Sequence, residues 1–398
     1  MTDRLGSRGA RAKIEGMPST IGKLGLAAAS ALVAVGAGWA FWPRPAARAT
    51  VDLVDIGEQL EDVLGRRVAS AAGPTDPHAF ALEHIDEADL RVLIPQLAGD
   101  RVFDRLAGLV HAPDVERWVG FPEHPAGGWS VRTNAHGFRS EVPLRDGAGL
   151  RIVAMGDSHS AGLCAQEETF TSLLEAGLAE RGLDAEVLNG AVGGYSFFHY
   201  LGALQRSLEL EPDAFLLVVY GGNDFSGLMP YERYFYRRAA PVRTFGELRV
   251  LRGPAGMPGI VPQDLAQVLY FARNPEDVER AVDMAAIVTE QMASLCRERG
   301  IEFACAYLPA ASQVQPRIYG SLYAQALRLL DVSLDDVRVS DRLADGWLER
   351  LKAAGIRSVD LRDAFAAAEE PAFWYSDLHI NLLGQRLVAE GLLEVVGR

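Results

Sequence analysis

The sequence predicts an α/β protein built on a doubly wound parallel sheet. Three observations carry that prediction. From Leu150 onward, short apolar runs alternate with amphipathic helical stretches. The runs "LRIVAM", "AEVLNGAV", "DAFLLVVYGGND" and "IEFACAYLP" are almost continuously apolar, as strands buried on both faces of a parallel sheet are. Ser158, Gly194 and Asn223 lie just past the ends of the first three predicted strands, where open α/β sheets bind their ligands.

In chain order, residues 1–23 form a basic tail carrying Arg4, Arg8, Arg11, Lys13 and Lys23. No charge falls between Lys23 and Arg44, and residues 24–42, "LGLAAASALVAVGAGWAFW", are long enough to span a bilayer as a helix. Trp39, Phe41 and Trp42 gather at the far end, where an aromatic belt belongs. The basic tail favours a cytoplasmic N-terminus and an extracytoplasmic body, periplasmic or at the cell surface. We read the span as an uncleaved signal-anchor; Ala47 and Ala49 form an A-x-A-like site that would instead permit a cleaved, secreted form.

Residues 43–149 form the N-terminal region of the body. A Pro/Ala/Arg linker at 43–49 leads into a stretch that reads as helical from 51 to about 110, with Leu53, Ile56, Leu60 and Leu64 near one helical face. "DRVFDRLAGLV" is included in that helical reading, and residues 115–148 read as irregular or β. The main domain, 150–398, follows. Helices are expected at "ETFTSLLEAGLAERG", stopped by Gly182, and at "FFHYLGALQRSLEL". An insertion at about 226–300 separates the third strand from the next and ends in the helix "DVERAVDMAAIVTEQMASLCRERG". Its "YERYFYRRAAPVRTF" is either a surface excursion with a solvated basic face or a lid whose aromatics and arginines contact a carbohydrate. "IRSVDLRDAF" supplies a last short strand and "NLLGQRLVAEGLLEVV" the closing helix.

The chain has 398 residues, 49% of them apolar, and a formal net charge of −14. An acidic balance of this size argues against sequence-independent nucleic-acid binding, which needs clustered cations. Cys164, Cys296 and Cys305 form no CxxC pair and read as small buried hydrophobes, with a Cys296–Cys305 disulfide open to an oxidising compartment. Neither a metal nor an organic cofactor is implied.

The chemistry concentrates in "AMGDSHSAG". A strand ending in Gly-Asp-Ser and turning into a helix presents the Ser158 hydroxyl beside backbone N–H groups that favour developing negative charge. The turn matches neither a P-loop nor a G-x-S-x-G elbow. A serine nucleophile needs a base, and His379 in "YSDLHINLLGQ", with Asp377 two positions earlier, is the best placed. His159 adjoins the serine, where neighbouring side chains diverge; His136 precedes the sheet; His199 falls inside a helix. Gly194 in "NGAVGGYS" and Asn223 in "YGGND" suit an oxyanion hole, one through a closely approaching backbone N–H and the other through its amide.

Ser, Gly, Asn and His in these four blocks resemble the SGNH (GDSL-like) hydrolase superfamily, in its bacterial exported or membrane-anchored form. "TNAHGFRS", residues 133–140, also resembles the NxxGfR lead-in of exported members, and "ETFTSLLEAGL" is similar to theirs as well. The resemblance covers residues 150–398, with 226–300 poorly matched. It implies a flavodoxin-like three-layer α/β/α fold, Ser158 as nucleophile and His379 as base. It further implies an oxyanion hole of the Ser158 and Gly194 N–H groups and the Asn223 side chain. The usual acid lies three residues before the histidine, a place held here by Ser376; Asp377 stands two before it, as in some polysaccharide-modifying members.

The expected function is therefore a serine esterase acting on O-acyl or acetyl esters of a small molecule, carbohydrate or lipid through a Ser158–His379–Asp377 triad, held to a membrane by its N-terminal helix. The alternatives are an O-acyltransferase modifying an envelope polysaccharide, with the same triad and another acceptor, and a non-catalytic scaffold.

Overall fold

In the computed structural model, the described residues are 53–69, 80–94, 100–140, 142–147, 149–242, 244, 247 and 263–396. The basic tail, the apolar span at 24–42, the linker at 43–49 and part of the 226–300 insertion lie outside them. Among the described residues, no helix is long and apolar enough to cross a membrane.

The chain enters through α1 (Leu53–Ala69) and α2 (Glu87–Leu93). Asp86 caps α2 by accepting from the Ala88 and Asp89 N–H groups. Two antiparallel hairpins follow, β1 (Arg101–Asp104) with β2 (Gly108–His111) and β3 (Glu116–Gly120) with β4 (Gly128–Arg132). The first corrects the helical reading of "DRVFDRLAGLV". Asp104 accepts from the N–H groups of Leu106 and Ala107, closing a tight turn that reverses the chain before a helix can propagate.

The main sheet has five parallel strands: β5 (Leu150–Met155), β6 (Ala185–Asn189), β7 (Ala214–Tyr220), β8 (Glu302–Leu308) and β9 (Arg357–Asp360). Their order across the sheet is β6-β5-β7-β8-β9. This is the 2-1-3-4-5 order of the flavodoxin-like fold, with its switch point at β5. Every residue of β6 and β7 is buried, as their apolar runs require.

Helices cover the sheet in two groups. On one side, α4 (Phe170–Glu180), which follows the single turn α3 (Ser158–Ala161), packs against the closing helix. On the other, α5 (Phe197–Ser207) packs against a long helix from the insertion. Within that insertion the chain forms α6 (Asp224–Gly227), α7 (Met229–Tyr236), α8 (Gln263–Arg273) and the long α9 (Asp277–Arg299). The stretch "YERYFYRR" is thus not a solvated excursion. It builds α7, where Tyr231, Tyr234 and Phe235 are buried and Arg233 pairs with the fully buried Asp277 at 2.6 Å.

Residues 311–353, which the strand-and-helix pattern leaves unassigned, form α10 (Ala311–Val314), α11 (Pro316–Leu330), α12 (Leu334–Val337) and α13 (Val339–Ala353). After β9 come α14 (Arg362–Ala367) and the closing helix α15 (Leu382–Leu393). Leu64, Phe80, Ile85 and Leu90 of the N-terminal region belong to the same hydrophobic core as β5 and β7. The three cysteines are buried and unpaired, so Cys296 and Cys305 form no disulfide.

Candidate active site

Three loops at the carboxyl ends of β5, β6 and β7 meet the loop that precedes α15. Each is shaped by a local constraint. After β5, Gly156 is required by close packing: a Cβ there would lie 2.1 Å from Ser160 Oγ and 2.9 Å from the Val218 carbonyl. Asp157 then caps α3, its carboxylate accepting from the His159 N–H at 2.9 Å. That cap leaves Ser158 at the first position of the turn, half-buried, with its hydroxyl directed at the fourth loop.

The β6 loop carries Gly194 at φ +90°, a left-handed conformation that an L side chain would strain. Its neighbour Gly193 lies against Ser158, since a Cβ there would be 3.4 Å from Ser158 Cβ. The Gly193 carbonyl accepts from Arg101 of β1 at 2.8 Å, so the first hairpin holds this loop. Asn223 ends the β7 turn and leads into α6.

His379 comes from the loop before α15. Asn381 caps that helix by accepting from the Leu383 and Gly384 N–H groups, and its amide donates to the Pro371 carbonyl at 2.6 Å. Trp374 N–H donates to the His379 carbonyl at 2.8 Å, closing a turn over residues 374–379. Within it Leu378 adopts a left-handed φ of +59°. This reversal sets Asp377 and His379 side by side although only one residue separates them, and it costs about 1–2 kcal/mol for a side chain with a Cβ.

The structure brings Ser158 and His379 together: Oγ and Nε2 are 2.8 Å apart. Asp377 Oδ2 stands 3.1 Å from His379 Nδ1, while Asp377 Oδ1 accepts the His379 backbone N–H at 3.0 Å. The ring contact is out of line for a hydrogen bond, leaving Nδ1 with no hydrogen-bonding partner among the described residues. Asp377 thus places its carboxylate beside the ring without a hydrogen bond to it. Ser376, in the other candidate place for an acid, has a buried hydroxyl with no partner among the described residues. Gly194 and Asn223 lie on the two loops flanking Ser158, and the Asn223 amide Nδ2 donates to Gln263 Oε1 at 3.1 Å.

Three groups that sequence reasoning passed over belong to this site. His159 is buried and sandwiched between Tyr220, at a ring separation of 3.6 Å, and His379, at 4.5 Å. Burial holds its pKa well below the ordinary value, so it stacks as a neutral ring, and its Nδ1 accepts the Ile380 N–H at 3.3 Å. Adjacent side chains do diverge here: Ser158 points toward His379 Nε2, and His159 runs beneath it to stack on the His379 ring.

Asp157 and Asp224 form the second group, both fully buried. Burial and their mutual repulsion raise the Asp224 pKa well above the usual carboxylate range; burial also raises that of Asp157, opposed by the nearby His379. Gln263 is the third, with Nε2 3.2 Å from His379 Nε2. No sequence signal marks Gln263, because α8 reaches the site from the insertion.

"NAHGFR" finds a structural explanation. Asn134 Oδ1 accepts from the His136 and Phe138 N–H groups, turning the chain so that Arg139 enters the interior. Its guanidinium donates to the carbonyls of Ala161, Gly162 and Cys164, which end the turn that carries Ser158. Among the described residues, no group of three or more His, Cys, Asp or Glu could hold a metal ion.

No family model matches the sequence, and no curated protein matches it either. Solved structures do. LAE5, an alpha/beta hydrolase enzyme from the metagenome of Lake Arreo, is 15% identical, with 63% of this chain and 96% of that one covered at a TM-score of 0.37. The acetylxylan esterase Axe2 of Geobacillus stearothermophilus, as a catalytic mutant, is 9% identical, with 64% and 97% covered at a TM-score of 0.39. A GDSL-like lipase from Bacteroides thetaiotaomicron is 11% identical, with 62% and 87% covered at a TM-score of 0.33. This chain is thus similar to GDSL-like esterase and lipase structures. Overlap at this level leaves the chemistry to be read from the chain's own geometry.

Proposed function

We propose that this chain is a serine ester hydrolase of the SGNH type. The observation that carries the reading is the 2.8 Å contact between Ser158 Oγ and His379 Nε2, set at the carboxyl ends of the strands beside the Gly194 and Asn223 loops. His379 Nε2 takes the hydroxyl proton as Ser158 Oγ attacks the ester carbonyl. The oxyanion is met by the Ser158 and Gly194 N–H groups and the Asn223 amide. Collapse of the tetrahedral adduct expels the alcohol, protonated by His379, and leaves an acyl-serine. Water, deprotonated by the same ring, then releases the acid. Asp377 stabilises the imidazolium by its charge, and the stacked neutral ring of His159 fixes the plane in which the base turns.

An O-acylated carbohydrate or a lipid ester is the substrate class we propose, acted on outside the cytoplasm by a body tethered through residues 24–42. Turnover of p-nitrophenyl acetate tests the chemistry. Ser158→Ala should abolish it while leaving the thermal unfolding midpoint within a few degrees of wild type. Retained turnover in the folded variant would remove Ser158 from the role of nucleophile.

A further inference from the structure

The carboxamide of Gln263 lies between the two ends of the reaction site. Its Oε1 accepts from Asn223 Nδ2 at 3.1 Å, the donor assigned above to the oxyanion. Its Nε2 lies 3.2 Å from His379 Nε2, the atom that receives the serine proton and returns it to the leaving group. A carboxamide is a planar acyl group with a carbonyl oxygen and a heteroatom on the same carbon, as an ester is. Its oxygen occupies the oxyanion's donor and its nitrogen the leaving group's proton source. The side chain itself is only partly buried at the start of α8, so solvent and a ligand can reach it.

We propose that Gln263 is a resident occupant of the acyl site, an intramolecular plug that a substrate must displace. This rests on the hydrolase reading of Ser158, His379 and Asn223. Two consequences follow from the contacts. His379 Nε2 has a single lone pair in the tautomer that accepts the serine proton, and both the Ser158 hydroxyl and the Gln263 N–H point at it. The Gln263 N–H therefore competes with Ser158 for the base. One of the two Asn223 amide N–H groups, in turn, is held by Gln263, so a substrate carbonyl must compete for it. An incoming ester must break both contacts, and esters that bring enough binding energy elsewhere are favoured over small ones. Gln263 thereby sets specificity without touching the acyl group in the reaction itself.

The test is the rate at which a small fluorophosphonate labels Ser158, followed by mass spectrometry in the full chain, with Ser158→Ala as the blank. Gln263→Ala should label about fivefold to tenfold faster than wild type, the factor expected for releasing one or two neutral hydrogen bonds. Gln263→Glu should label more slowly than wild type at neutral pH. Its carboxylate would hold Asn223 and a protonated His379 by stronger, charge-assisted bonds, so its rate profile should also shift to higher pH. If Gln263→Ala labels no faster than wild type, the plug is wrong while the hydrolase reading stands. If Gln263→Glu labels as fast as wild type or faster, the plug is equally wrong, and this variant decides alone should Gln263→Ala not fold. If no variant labels at Ser158, the hydrolase reading falls and the plug with it.

Discussion

Asp377 and Ser376 compete for the same assignment, and their surroundings separate them. Asp377 places a carboxylate oxygen 3.1 Å from His379 Nδ1; Ser376 offers a buried hydroxyl that bonds to nothing described. Asp377→Asn removes the charge that favours the imidazolium and should lower kcat by about 10²–10³, less than in a fully buried triad because the carboxylate is partly exposed. Ser376→Ala removes only an unsatisfied hydroxyl and should leave kcat and stability near wild type. Steady-state kinetics on the pair checks both; equal losses would mean that the turn, not the charge, does the work. Asn223→Ala should lower kcat by about 10²–10³, the loss typical of one oxyanion donor. A raised KM at unchanged kcat would make Asn223 a ground-state contact instead. At this scale the meeting of Ser158 with His379 and the place of Asn223 on a neighbouring loop were legible because each sits at a strand or helix end. His159 and Gln263 were not, because a stacking partner and a side chain from an insertion leave no local pattern.

Arg139 shows how one element holds another. The 133–139 turn sends its guanidinium across to three carbonyls at the end of the turn that carries Ser158, and its own N–H donates to the Asn189 carbonyl at the end of β6. Lysine cannot make that fan of bonds. Arg139→Lys should lower stability on the order of 2–3 kcal/mol, as loss of charged buried hydrogen bonds does. It should also reduce kcat more than it raises KM, since Ser158 is displaced rather than a binding surface lost; urea melts and kinetics on one preparation read both. The buried strands and amphipathic helices of the main domain could be read from the sequence because burial on two faces writes a continuous apolar run. The β1–β2 hairpin could not: its strands are four residues long, too short for either period to declare itself, and Asp104 decides the turn. Nor could α7, where Arg233 is neutralised by Asp277 from a different helix 44 residues away.

Across the whole molecule, the sheet order sets the loops after β5, β6 and β7 side by side at the carboxyl ends of the strands, and the N-terminal hairpins brace them. An aromatic cluster of Phe121, Trp129 and Trp374 with His124 joins the second hairpin to the loop that carries His379. The N-terminal region is therefore part of the support of the site. The buried Asp157–Asp224 pair should make the fold sensitive to pH. Both carboxyls have raised pKa values in the folded chain, so the native state keeps a proton that the unfolded chain gives up near pH 4. Stability should fall as pH rises from about 4 through the raised pKa of the pair. Asp224→Asn, which can still accept from Tyr200 and the Tyr220 N–H, should flatten that fall and be no less stable than wild type at neutral pH. Urea midpoints across pH 5–8 measure it; parallel curves for the two proteins would place the sensitivity elsewhere.

The central claim is that Ser158 becomes acylated through His379. Mixing the protein with p-nitrophenyl acetate, quenching in acid during turnover and sequencing the peptides by mass spectrometry tests it directly. An acetyl group on Ser158, absent from both Ser158→Ala and His379→Ala, is the predicted result. Turnover with an acetyl group on another residue, or with unmodified Ser158 at every quench time while His379→Ala turns over normally, would contradict it.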